Sequence, residues 1–84
     1  MIRSKQITRI QNHEDLADYV AYLHKEFISN PNQWENQTLD RYLAAMEGWI
    51  RDSKGYYENQ NRSMPSPEAL QAIAEALTAS SMYE

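Results

Sequence analysis

Three stretches of the chain space their apolar residues with the period of a helix. In the first, Leu16, Val20, Leu23 and Phe27 stand at offsets 0, 4, 7 and 11 and share one face. His13, Ala17 and His24 flank that face on one side and Tyr19 on the other, while Asp18 and Lys25 point away. Asn12, with Asp15 three positions on, is a capping pair ahead of this run. Asn30-Pro31 ends it, because proline pushes the residue before it out of the helical region. The spacing predicts a helix over about 13–29.

The second stretch carries the strongest period. Leu39, Leu43, Met46 and Ile50 align, with Tyr42 and Trp49 on the shoulder. Thr38, or Asn36 two residues earlier, supplies its cap, and Gly55 is read as its stop, predicting a helix over about 38–53. Glu47 and Arg51 are spaced for an i,i+4 ion pair on its flank. Ser66-Pro67 opens a third helix over about 67–82, whose inward stripe is Leu70, Ile73, Ala74, Leu77 and Ser81.

The segment between the first two helices, 30–38, is rich in turn formers but contains Trp34, which is expected to fold back over the helices as a lid on the core. Tyr56 and Tyr57 are placed in the second loop. Residues 2–10 are read as an extended arm, with a strand or a longer first helix as alternatives. The expected fold is therefore all-α: a small three-helix bundle with an N-terminal extended arm, in a single domain over 1–84.

Composition narrows the function. Arg3, Lys5 and Arg9 give residues 1–11 a net charge of +3, whereas residues 12–84 hold five basic and twelve acidic side chains, a net of −7. Such a body repels a phosphate backbone, which argues against a nucleic-acid partner. No run nears the roughly 20 apolar residues that cross a bilayer, so no membrane role is expected. The sequence has no cysteine and its start is too polar for a signal peptide, both in keeping with a cytoplasmic protein.

Candidate chemistry is sparse. His13 and His24 lie about 16 Å apart along one helix, too far to share a metal. Glu14, Asp15 and Asp40 sit in first turns, where the helix dipole accounts for them. Ser66 is a cap, and Ser80 and Ser81 have no visible base. The two glycines, Gly48 and Gly55, form no phosphate loop. No catalytic, cofactor-binding or metal-binding residue is assigned, and the chain is expected not to be an enzyme.

The nine aromatics are more informative, since a bundle this small cannot easily hide them all. Tyr19, Tyr22, Glu35, Tyr56 and Tyr57 form an acidic, tyrosine-bearing set suited to a basic protein partner. Gly48 falls opposite Leu39 and Leu43, where close approach by a second subunit or by the Trp34 loop would explain it.

Over nearly its whole length the chain resembles a family of small uncharacterised bacterial proteins, a domain of unknown function. The resemblance rests on Asn30-Pro31-x-x-Trp34-Glu35-Asn36-x-Thr38-Leu39, on Tyr42-Leu43-x-Ala45-Met46-x-x-Trp49, on Asp52-x-x-Gly55-Tyr56-Tyr57-x-Asn59 and on the ending Ala76-Leu77-x-Ala79-x-x-x-Tyr83-Glu84. It is looser at the third helix, where Leu70 and Ile73 stand in place of the family's aromatic pair. The resemblance implies no activity. In size and acidity the chain is also similar to proteins that neutralise toxins. Three roles are in view: a module that masks a basic partner protein, a homodimeric structural module, or a small-ligand binder or enzyme built around Trp34, Glu35, Tyr56 and Tyr57.

Overall fold

A computed structural model describes residues 10–83. The described residues form three α-helices and one 3-10 turn: α1, His13–Ser29; the turn, Pro31–Gln33; α2, Leu39–Asn59; and α3, Pro67–Ser80. They contain no strand, so the all-α, three-helix class read from the sequence holds. The expected N-terminal arm lies outside the described residues. The chain divides into two compact units, Met1–Met46 and Glu47–Glu84, with the boundary inside α2.

The helix starts are chemically defined. Asn12 Oδ1 accepts from Asp15 N at 2.8 Å, and Asp15 Oδ2 in turn accepts from Gln11 N at 3.1 Å, so two amide donors at the start of α1 are satisfied together. Thr38, rather than Asn36, caps α2: its Oγ1 accepts from Arg41 N at 3.1 Å. Ser66 Oγ accepts from Ala69 N at 3.1 Å, with Pro67 in the first turn of α3 as expected.

The end of α2 differs from the sequence reading. Gly55 is interior to the helix and has no positive φ, so it is not a stop. The helix runs on to Asn59, and Tyr56 and Tyr57 sit on its last turns, not in a loop. Asn61, at φ 56°, ends it. Asn61 N donates to Glu58 O at 3.0 Å and Arg62 N donates to Tyr57 O at 2.9 Å, the paired bonds of a Schellman motif. Glycine inside a helix costs only about 1 kcal/mol against alanine, less than the aromatic packing gained by continuing. α3 closes at Ser80, two residues short of expectation, with Ser81 N donating to Thr78 O at 3.2 Å.

In the first unit, Trp34 folds back as expected. Its ring meets Phe27 of α1 edge-on, centroids 5.6 Å apart, and Tyr42 of α2 at 6.3 Å. Gln37 Nε2 holds the intervening chain in shape by donating to Pro31 O at 2.9 Å and Trp34 O at 3.1 Å. This packing turns α1 from its predicted aspect. The half-buried residues are Asp15, Tyr19, Tyr22, Leu23, Glu26 and Phe27, whereas Leu16 and Val20 are exposed. The large rings of Trp34 and Tyr42 have drawn the tyrosine shoulder of α1 inward in place of its aliphatic edge.

Candidate functional site

Eight of the nine aromatic side chains gather into one group within each unit, and the ninth, Tyr83, is exposed. In the first unit, Tyr19 and Tyr22 stack with centroids 6.2 Å apart, on the side of α1 that is half-buried. Burial pushes the Tyr19 phenol above its ordinary value, and the neighbouring Tyr22 and Tyr42 hydroxyls add to the effect. A tyrosine so placed keeps its proton and serves as a packing group with a polar end. Phe27, Trp34 and Tyr42 continue the group, so both α1 tyrosines contribute to the unit's own packing.

In the second unit, Trp49, Tyr56 and Tyr57 make three mutual edge-on contacts at centroid distances of 5.3, 6.5 and 5.1 Å. The Arg62 guanidinium carbon lies 5.0 Å from the Tyr57 ring centre and 5.9 Å from that of Tyr56. Tyr57 and Arg62 are also the two residues joined by the long bond of the Schellman motif. A cation–π contact thus takes the place of the apolar contact that commonly accompanies that motif. Helix end and aromatic group reinforce each other, each edge-on ring pair being worth about 0.5–1.5 kcal/mol beyond area burial.

Of the five residues read as partner-binding, Tyr19 and Tyr22 belong to the first ring group and Tyr56 and Tyr57 to the second. All four are half-buried, while Glu35 is exposed beside Trp34. Trp34 and Glu35 fall in the first unit and Tyr56 and Tyr57 in the second. The described residues contain no group of three or more His, Cys, Asp or Glu side chains able to hold a metal ion, and His13 is exposed, as is His24.

The helix stripes that the sequence places inward are left largely open. No apolar side chain among the described residues is fully buried. Leu16, Val20 and Ile28 on α1, Leu39, Leu43 and Ile50 on α2, and Leu70, Ile73 and Leu77 on α3 are all exposed. The periodicity of these stripes is legible in the sequence; their openness is not, because period reports which residues share a face and not what covers it. Ser53 is the one buried residue among those described, at 4% exposure, and its hydroxyl donates to Ile50 O at 2.7 Å.

Gly48 stands on the opposite side of α2. A Cβ added there or at Gly55 meets nothing within 4 Å beyond the surrounding helix backbone. The Trp34 loop is therefore not the close neighbour considered for Gly48.

The structure defines a class: an all-α protein with amphipathic helices whose apolar faces are open, fastened by two aromatic groups. The chain belongs to a family of unknown function, DUF7660, which matches it over residues 12–84. No curated protein and no solved structure matches it at a significant level. No helix among the described residues is long and apolar enough to cross a membrane.

Proposed function

We propose that the chain is a protein-interaction module, binding rather than catalytic, whose apolar helix faces dock on another polypeptide. The observation that carries this reading is the exposure of the stripe residues on all three helices. Contiguous open apolar surface on a protein marks an association site. The excess of acidic groups in residues 12–84 favours a basic partner and speeds its encounter. On α3 the stripe Leu70, Ile73 and Leu77 shares its helix with Glu68 and Glu75 and with no lysine or arginine. The reading sets the protein in the cytoplasm, in keeping with a sequence that uses no cysteine.

The sequence-predicted tyrosines change role in this reading. They hold the aromatic groups together, and the aliphatic stripes provide the docking area. The test is capture of binding proteins with the parent chain and with a Leu70→Gln, Leu77→Gln double variant, followed by melting of the parent with each purified binder. A binder that raises the melting temperature of the parent and not of the variant supports the reading. A parent chain that melts cooperatively at a temperature independent of concentration, and that no binder stabilises, sinks it.

A further inference from the structure

In the second aromatic group the tyrosine rings already hold a cation. The Arg62 guanidinium carbon lies 5.0 Å from the Tyr57 ring centre and 5.9 Å from that of Tyr56. Trp49 meets both tyrosines edge-on and yet stays 52% exposed. An indole attracts a cation more strongly than a phenol ring does. The best cation acceptor of the group is thus the ring left open to solvent, while its two weaker neighbours share the chain's own arginine.

Asp52 stands beside that ring. It is exposed and lies three residues on along α2, which sets the two Cβ atoms roughly 5–6 Å apart on one flank of the helix. No cation among the described residues pairs with it. Arg51, next to it in sequence, is turned to Glu47, with Nη2 at 3.0 Å and Nε at 3.1 Å from Oε2. Lys54, two residues on, falls on the other side of the helix. Trp49, Asp52, Tyr56, Tyr57 and Arg62 all belong to one compact unit.

We propose that Trp49 and Asp52 together receive one arginine side chain of the partner polypeptide. The proposal rests on the interaction reading and names the chemistry that this part of the surface selects. A guanidinium is flat, so its face lies on the open indole while the N–H groups at its edge donate to the Asp52 carboxylate. A lysine ammonium is a strongly hydrated point charge and gains less from the ring. Arg62 over Tyr57 is the same kind of contact made within the chain. An anionic guest is repelled by Asp52.

The test is an NMR titration of the isotopically labelled full chain with the capped peptide Ala-Ala-Arg-Ala-Ala and with its lysine and citrulline counterparts. Trp49→Phe identifies the Trp49 indole N–H signal against that of Trp34. The arginine peptide is expected to shift the Trp49 indole and the Asp52 amide saturably and to leave the Trp34 indole in place. The lysine peptide binds about 2- to 5-fold more weakly. Citrulline, which keeps the shape and loses the charge, does not bind. Asp52→Asn weakens the arginine peptide about 2- to 5-fold, the worth of an exposed ion pair. Glu58→Gln removes an equal charge from an exposed position on the far side of α2 from Trp49 and leaves the affinity unchanged.

No saturable shift at Trp49 overturns the proposal. So does a citrulline or lysine peptide that binds as tightly as the arginine one. A Glu58→Gln variant weakened as much as Asp52→Asn overturns it too, because net charge alone then attracts the peptide. If the arginine peptide fails yet a captured binder still raises the melting temperature, only the arginine site falls. If the peptide binds at Trp49 while no binder stabilises the chain, the interaction reading falls and the site stands by itself.

Discussion

Gly48→Ala and Gly55→Ala should each stabilise the protein. Both glycines lie inside α2, neither has a positive φ, and a methyl group at either position meets nothing within 4 Å beyond the helix backbone. The substitution therefore brings no steric cost, and only the difference in backbone freedom remains. Alanine restricts the unfolded chain more than glycine does and is favoured in a helix interior by about 0.8–1 kcal/mol. The two positions are seven residues apart, or about 10 Å along the axis, and share no contact, so their effects should add to about 2 kcal/mol. For a domain of this size each kcal/mol raises the melting midpoint by about 4–8 °C.

The assay is thermal unfolding followed by circular dichroism at one fixed protein concentration, since association makes the midpoint depend on concentration. Expected is a rise of about 4–8 °C for each single variant and about twice that for the pair. A fall on Gly48→Ala with a rise on Gly55→Ala would refute the reasoning. Something must then approach α2 closely at Gly48, contrary to the open space found there.

Asn61→Val should cost about 1–2 kcal/mol, because a β-branched residue resists the left-handed backbone that closes α2, whereas Asn61→Gly should be neutral or stabilising; chemical denaturation separates the two. Arg62→Ala should cost about 0.5–1 kcal/mol through the lost contact with Tyr57, and should shift the fluorescence of Trp49 by loosening the ring group. Ser66→Ala should cost about 1 kcal/mol by removing the cap of α3, read as lower helix content on mild heating. Tyr19 has its folded pKa raised above the ordinary 10.0, so the folded state holds the proton longer than the unfolded state does. Its contribution is fully present below pH 10 and is lost as pH rises from there through the folded value. Melting between about pH 8.5 and 11 should decline less steeply in Tyr19→Phe than in the parent.

The features legible in the sequence are those decided locally. Asn12, Thr38 and Ser66 cap because a side-chain oxygen reaches an amide two or three residues on, whatever surrounds it. Glu47 and Arg51 pair for the same reason. Trp34 is predictable because a turn-rich segment gives an indole little else to pack on. Gly55 shows the limit: glycine permits a left-handed stop but does not demand one. The seven-residue stripe continuing through Ser53 to Tyr57 carries the contrary signal, and Asn61 is the residue type that enters the left-handed region most readily after glycine. The tilt of α1 toward its tyrosines is not legible, since it depends on rings contributed by the Trp34 segment and α2.

These particulars bear on how α2 is held. A helix containing two glycines draws little stability from propensity, and in proteins most helical stability comes from packing of an amphipathic face. Its N-terminal end is fastened by the Thr38 cap and by Trp34 on Tyr42. Its C-terminal end is fastened by the Schellman bonds and by Arg62 over Tyr57. Between them, Glu47–Arg51 adds only a few tenths of a kcal/mol, while Leu43 and Ile50 remain open and Gly48 loosens the backbone. The centre is thus the segment with the most to gain from a cover.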